Sequence, residues 1–295
     1  MSHTYSVKPR KADLSRTRIK MFAALIEGDQ LGAIQVVDSV IADRWEPSFI
    51  YVSVIGHCMA EIGARWHAGK LSISTEHRAT QIALRVMARA QASYVNHRNV
   101  GLRAIITSVE GDTHVIGGLT FADLLRFKGW DVDFLGAGSP IDSIVEMVKR
   151  ESPNLVGLSM SIDKYLSNVI ETVSAIKAVP NPPVVVIGGA GVTAHSVQKA
   201  DFSCANAVEA IDWVQARFNL NASSATIEVM LSELGGRIQS LRKDQGLSQQ
   251  QLATESNLDR SYISAVEHGK QNVSFTTLKR ISDALGIGIS DLISG

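Results

Sequence analysis

Ala104-Ile105-Ile106-Thr107-Ser108-Val109-Glu110-Gly111-Asp112-Thr113-His114-Val115-Ile116-Gly117-Gly118 is the stretch on which the fold turns. Its first six residues form an apolar run that reads as a buried strand. The segment after it, Leu119-Thr120-Phe121-Ala122-Asp123-Leu124-Leu125-Arg126-Phe127, has helical apolar spacing. Residues 110–118 are therefore a strand-to-helix loop. In an open parallel sheet that loop lies at the carboxyl end of its strand, where such sheets bind ligands. It carries an imidazole, His114, two positions from a carboxylate, Asp112. A carboxylate behind a histidine fixes the ring's tautomer and raises its basicity, an arrangement suited to a metal ligand.

Outward from this loop the strand-helix alternation continues. Strands are expected at residues 103–109, 131–135, 155–161 and 184–187, with a shorter fifth near 201–205, and helices at 141–150, 166–178 and 207–218. This reads as a doubly wound parallel sheet over residues 100–218. Upstream, residues 13–99 show no convincing strand. Helical periodicity recurs instead, in Ile19-Phe22-Ala23-Ile26, in Ala33-Val36-Val37-Val40-Ile41, and over residues 49–62 and 79–94. Breaks fall at Gly28-Asp29, Glu46-Pro47-Ser48 and Ala68-Gly69-Lys70, so a bundle of four or five short helices is expected. Ser74 or Thr75 is expected to cap its last helix and place Glu76 and His77 in the first turn. Residues 1–12 are a basic tail, with Lys8, Arg10 and Lys11, that is expected to fray into solvent.

The chain has 295 residues, enough for two or three domains, and 45% hydrophobic content, which is ordinary for a globular protein. Its two cysteines, Cys58 and Cys204, form no CxxC pair, so neither a disulfide framework nor a thiolate metal site is suggested. With no apolar leader and no long apolar run, the expectation is a cytoplasmic protein that does not enter the membrane. Formal net charge is zero, so bulk electrostatics do not announce nucleic acid.

The spacing Asp112-x-His114-x-x-Gly117 resembles the signature of the cobalamin-binding domain of B12-dependent mutases, methyltransferases and sensors. Gly157-Leu158-Ser159-Met160-Ser161 and Gly188-Gly189-Ala190-Gly191 match two later segments of the same pattern, with Ser161 where the family often has leucine. The resemblance implies that His114 replaces the cofactor's own base below cobalt, with Asp112 behind it. It further implies that Ser159 hydrogen-bonds the displaced base, and that Gly117, Gly188 and Gly189 leave room for the nucleotide tail. The upstream bundle looks like the helical cap over the upper face of cobalamin in methyltransferases and in light-responsive repressors of carotenoid synthesis. Trp66-His67 and Glu76-His77 reproduce the two residue pairs of those photoreceptors. By that resemblance Trp66 packs against the 5′-deoxyadenosyl group of adenosylcobalamin and Glu76 hydrogen-bonds it. His77 lines the same face, and His67 ligates cobalt from above once light has removed that group.

Residues 219–230 begin small and polar and read as a linker. Beyond them, residues 231–295 carry Gly246-Leu247-Ser248-Gln249-Gln250-Gln251-Leu252-Ala253 and Ser261-Tyr262-Ile263-Ser264-Ala265-Val266-Glu267-His268-Gly269-Lys270. Ser248 and Asp259 are expected to cap successive short helices, an all-α arrangement that seats the second helix in the major groove. The segment closely resembles the phage-repressor-like helix-turn-helix family. The resemblance implies that Gln249 meets phosphate and buttresses the recognition helix, and that Arg260, Ser261, Tyr262 and Ser264 face DNA. Lys270 and Asn272 then meet phosphate, with Ala253, Leu258, Ile263 and Val266 as core. From Ala225 onward there are seven Lys/Arg against eight Asp/Glu, so one copy should bind double-stranded DNA weakly and a dimer or tetramer is expected.

The fold class expected is thus multidomain α and α/β: a four-helix cap, a cobalamin-binding α/β domain and a helix-turn-helix. A catalytic barrel of about 250 residues is absent, so no enzyme activity is expected. The function implied is a light-responsive, adenosylcobalamin-dependent transcription regulator. A light-independent cobalamin sensor and a corrinoid carrier for a methyltransferase are the alternatives.

Overall fold

The computed structural model describes residues 7–94, 99–192, 197–220, 227–289 and 292. The chain divides into two compact units, residues 1–214 and 215–295. The first opens with helices α1 (Lys11–Glu27) and α2 (Gln30–Ala42), then a π-helix (Phe49–Gly56) that runs directly into α3 (His57–His67), and then α4 (Ile73–Ser93). Gly28, at φ 80°, ends α1, and the Asp29 side chain caps α2 by accepting from the Gly32 amide. The inward faces of these helices meet in one core that includes Met21, Leu25, Val37, Ile50, Tyr51, Ile62, Val86 and Met87.

Two details depart from the sequence reading. The cap of α4 is Ser72, whose hydroxyl accepts from the Thr75 amide at 3.1 Å; Ser74 and Thr75 lie inside the first turn, together with Glu76 as expected. In addition, α1 begins at Lys11, within the stretch read as a tail, and Val7 pairs with Trp45, its amide donating to the Arg44 carbonyl at 3.1 Å. Residues 1–6 of that tail lie outside the described residues.

Five parallel strands follow: β1 (Arg103–Ser108), β2 (Asp131–Phe134), β3 (Leu155–Ser159), β4 (Val184–Gly188) and β5 (Phe202–Cys204), in the order β2-β1-β3-β4-β5. Helices α5 (Ile116–Phe127), α6 (Ile141–Glu151), α7 (Leu166–Lys177) and α8 (Ala207–Arg217) complete the winding. α6 and α7 cover one face through Ile144, Val148, Val169, Val173 and Ile176. On the other face α5 comes so close that a Cβ on Gly157 would lie 2.9 Å from the Phe121 ring. The far side of α5 packs on the helical bundle through Ile116, Leu119 and Phe127, so this helix is enclosed from both sides. The strand order reverses between β1 and β3, which makes the carboxyl ends of those strands the expected ligand crevice.

The second unit carries α9 (Ile227–Asp244), α10 (Gln249–Glu255), α11 (Arg260–Glu267) and α12 (Phe275–Ala284). Ser248 caps α10 in a reciprocal box with Gln251. Asp259 stands at the cap position of α11, but its side chain accepts no capping hydrogen bond. Ala253, Ile263 and Val266 are buried in its core with Leu258 partly buried against them, as expected. Of the expected linker, residues 221–226 lie outside the described residues. Among the described residues, no helix is long and apolar enough to cross a membrane.

Candidate functional site

Strand register builds the site. Ser108, Ser159 and Gly188 are direct partners across β1, β3 and β4, so they form a row along the carboxyl edge of the sheet. The loop after β1 folds back over this row. The Ser108 hydroxyl donates to the His114 carbonyl at 2.6 Å, and Asp112 inserts its fully buried side chain beneath the loop. Asp112 Oδ1 accepts from the His114 amide at 3.0 Å and stands 2.7 Å from His114 Nδ1; Oδ2 accepts from the Ser161 amide at 2.7 Å. Burial pushes the Asp112 carboxyl up, yet the hydrogen bonds from His114 and Ser161 outweigh it and hold the group below the usual carboxylate range. The hydrogen bond to Asp112 in turn raises the proton affinity of His114, opposed by burial and helped by the charges of Asp112 and Glu76.

The consequence is a defined tautomer. Nδ1–H of His114 points at Asp112, so in the neutral ring Nε2 carries the free lone pair, on a side chain that is 48% exposed. Among the described residues no three His, Cys, Asp or Glu side chains converge to hold a bare ion.

Ser159 is only 5% exposed, and its hydroxyl has no hydrogen-bond partner among the described residues. A Cβ on Gly117 would sit 3.4 Å from that hydroxyl, and one on Gly188 would meet nothing closer than the Cys204 carbonyl at 3.7 Å. Both glycines therefore leave open space beside Ser159. Gly189 differs: at φ 111° a Cβ there would lie 2.3 Å from the Met160 carbonyl, so the fold itself demands this glycine, whatever passes nearby.

The bundle places its polar groups at the α3–α4 turn. The Trp66 and His67 rings lie 4.5 Å apart at 38°, with Trp66 half-buried and His67 exposed. Glu76 Oε1 accepts from the Thr80 hydroxyl at 2.9 Å, and its Oε2 lies 3.7 Å from His77 Nε2.

In the second unit Glu267 is the organising residue. Its fully buried carboxylate pairs with Arg242 Nε at 2.6 Å and accepts from Gln249 Nε2 at 2.8 Å. One carboxylate so joins α9, α10 and α11. Gln249 thereby buttresses the second helix of the pair. Arg260 and Ser261 are exposed at the start of α11, Ser264 is partly buried, and Tyr262 packs against the core with its hydroxyl 3.4 Å from the Asn272 carbonyl. Lys270 and Asn272 are exposed just beyond the helix.

Family models for a B12 binding domain match residues 19–91 and, separately, 102–211; a helix-turn-helix model matches residues 238–292. The chain thus carries B12 binding domains followed by a helix-turn-helix domain. Over 180 residues it is 28% identical to the HTH-type transcriptional repressor CarH of Myxococcus xanthus, a match that covers 60% of this chain and 59% of that protein. Residues of the helix-turn-helix domain align with the control protein C.MunI of Mycoplasma sp at 46% identity over 61 residues, 20% of this chain and 82% of that one. The monomethylamine corrinoid protein of Methanosarcina barkeri shares the fold, with a TM-score of 0.58 and 18% identity over 68% of this chain and 97% of that one.

A B12-binding domain must accept a corrin, and the residues present fit one. The free Nε2 of His114 would supply a metal donor, the Ser159 hydroxyl a hydrogen-bonding group at the sheet's carboxyl edge, and Gly117 space beside it. Sequence reasoning missed the Ser161 amide and the Ser108 hydroxyl, because backbone donors and strand-end serines carry no distinctive spacing. It also missed the Arg242–Glu267 pair. The available signal was a carboxylate directly after Val266, at an inward position of a short apolar helix.

Proposed function

We propose that this chain is a light-responsive, adenosylcobalamin-dependent transcription regulator. The observation that carries the reading is the oriented His114, Nε2 free, at the sheet's switch point, in a chain that also carries a helix-turn-helix. Bound adenosylcobalamin supplies a cobalt–carbon bond that visible light breaks. His114 would hold the metal through Nε2, with Asp112 holding His114. Ser159 hydrogen-bonds the displaced base, whose tail runs past Gly117, Gly188 and Gly189. Above, Trp66 packs against the adenosyl group, Glu76 hydrogen-bonds it, and His77 lines the same face. His67, exposed at the end of α3, would be the residue to hold the metal once that group is gone.

Only a ligand that distinguishes two states can shift their balance, so the movement of α3 must alter an oligomer interface or the spacing of the helix-turn-helix units. DNA is the proposed partner, met by Arg260, Ser261, Tyr262 and Ser264, with Gln249, Lys270 and Asn272 toward phosphate. Because the unit is nearly neutral, two or more copies act together. Arg260→Ala is expected to weaken operator binding by about 1–3 kcal/mol, measured by titration at fixed salt.

The test is absorption, size-exclusion chromatography and operator binding with adenosylcobalamin, in the dark and after green light, for wild type and His67→Ala. Wild type is expected to change spectrum, oligomeric state and DNA affinity together. His67→Ala is expected to lose the adenosyl group in light yet fail to hold the final state. Light-independent assembly would leave a cobalamin sensor. Absence of any DNA response would favour a corrinoid carrier, a reading that the fold shared with a corrinoid protein keeps open.

A further inference from the structure

Four charged side chains are buried among the described residues: Asp112, Asp123, Arg242 and Glu267. The site and the helix-turn-helix account for three. Asp123, 2% exposed on α5, has no part in either.

Its surroundings are specific. The Tyr51 hydroxyl, on the π-helix, lies 2.9 Å from Asp123 Oδ2 and 2.9 Å from the Met87 carbonyl of α4. Asp123 Oδ1 accepts from Arg126 Nη1 at 2.7 Å, and Arg126 Nη2 donates to the Val132 carbonyl of β2 at 2.8 Å. A continuous chain of hydrogen bonds thus runs from α4 through Tyr51, Asp123 and Arg126 to the sheet. The Phe127 ring closes it on one side, 5.6 Å from Tyr51 and 5.5 Å from Tyr94. On another side lies a cleft of about 380 Å³ lined by Ala88, Gln91, Leu119, Asp123 and Arg126, so the seam between bundle and sheet is not filled there.

A proton on Asp123 would satisfy both contacts of the Tyr51 hydroxyl. A phenol has one proton and cannot give it fully to both Met87 O and an ionised Asp123 Oδ2. If the phenol donates to Met87, the second contact requires a proton on Asp123 Oδ2, donated to the phenol oxygen. Burial pushes the Asp123 carboxyl up in the same direction, against the hydrogen bonds from Arg126 and Tyr51. The charged and titratable groups that face the pair are Arg126 from α5 and Tyr94 from the bundle.

The position of this pair gives it a use. Tyr51 lies on the continuous helical stretch that ends in Trp66 and His67, and Asp123 lies on the helix that begins two residues after His114. We propose that Tyr51 and Asp123, joined as a neutral phenol–carboxylic acid pair, form the joint that sets how the Trp66–His67 end of the bundle sits over the His114 loop. They are positioning residues that touch no ligand. A neutral pair suits a joint that must move, because parting it leaves no buried carboxylate oxygen short of a donor. The π-helix suits it too: such wider turns are rare in helices and frequently stand at functional positions. The proposal rests on the cobalamin reading only for what the joint positions, not for its existence.

The experiment therefore starts with the full-length protein free of cofactor. Asn at position 123 reproduces the neutral acid, its amide donating to Tyr51 and its carbonyl accepting from Arg126. Asp123→Asn should abolish a carboxylic acid C=O band in the infrared spectrum and leave the bundle-to-sheet distance, measured between spin labels at Lys70→Cys and Lys149→Cys in a Cys204→Ser background, as in wild type. Tyr51→Phe should broaden that distance. If the closed arrangement falls to one-tenth of its population, apparent cobalamin affinity falls about tenfold as well. Two results would overturn the proposal: Asp123→Asn as loose as Tyr51→Phe, which means an ionised carboxylate, or Tyr51→Phe with an unchanged distance. Both are read without cofactor, so a protein that binds no cobalamin sinks the functional reading and still decides the joint.

Discussion

Glu267→Ala should destabilise the C-terminal unit by about 3–5 kcal/mol, because it leaves the buried Arg242 guanidinium without its partner. Arg242 Nε and Nη2 both donate to Glu267, and only Nη1, bound to the Leu247 carbonyl at 2.6 Å, keeps a protein acceptor in the variant. Gln249 loses its acceptor at the same time. The free-energy loss should be accompanied by loss of DNA binding, since α10 and α11 are tied through this one carboxylate. Urea unfolding followed by hydrogen exchange in α9, α10 and α11 measures it. A change below about 1 kcal/mol, the size of an exposed ion pair, would mean that the pair is solvated in solution.

The same pair sets an acid limit. Burial alone would push the Glu267 carboxyl up, but hydrogen bonds from Arg242 and Gln249 prevail and hold it below its ordinary value. A group whose pKa is lower in the folded state than in the unfolded state stabilises the fold above the unfolded value, near 4.3, and that stabilisation disappears as pH falls through the folded value. The C-terminal unit of wild type should therefore lose stability on acidification below about pH 4. Glu267→Gln, already lacking the charge, should show a flatter profile over that window.

How much of this was legible follows from what each feature does to residue order. The five strands begin and end within about two residues of their expected places, and for β1, β3 and β4 the reason is that strands covered on both faces read as near-continuous apolar runs. The bundle's breaks were legible because glycine and proline mark them. The start of α4 was not: Ser72, Ser74 and Thr75 all offer a hydroxyl, and only the three-dimensional path shows that Ser72 meets the Thr75 amide. The π-helix was hidden for a related reason, since Phe49-Ile50-Tyr51-Val52-Ser53-Val54-Ile55-Gly56 is apolar on nearly every side and displays no period. Asp123 was hidden by its own neighbour. With Arg126 three residues on, it has the spacing of a surface ion pair, and nothing local indicates that α5 is covered by the sheet on one side and the bundle on the other. Among the site residues, Asp112 and His114 stood out because the chemistry depends on their short spacing, whereas Ser161 acts through a backbone amide that any residue could provide.

His114→Ala should have the largest effect on the cofactor site: cobalamin should bind weakly, with its own base retained on the metal, and the spectrum should differ from wild type accordingly. Asp112 is expected to follow it by a margin that its hydrogen bonds explain. The carboxylate receives three donors on two oxygens, Oδ1 from the His114 amide and ring, Oδ2 from the Ser161 amide. Asp112→Ala leaves the Ser161 amide unsatisfied, worth about 1–3 kcal/mol of stability, and frees the His114 ring to turn. Asp112→Asn fares little better, because an amide has one acceptor oxygen and its NH₂ must face one of the three donors. Both variants should lower cobalamin affinity about 10–100-fold, the usual range for the partner behind a ligating histidine. The stability loss should be present in the protein without cofactor, which separates it from the affinity loss. Unchanged spectrum and affinity in His114→Ala would remove the lower-ligand role. Asp112→Asn indistinguishable from wild type would show that the ring is oriented by something other than this carboxylate.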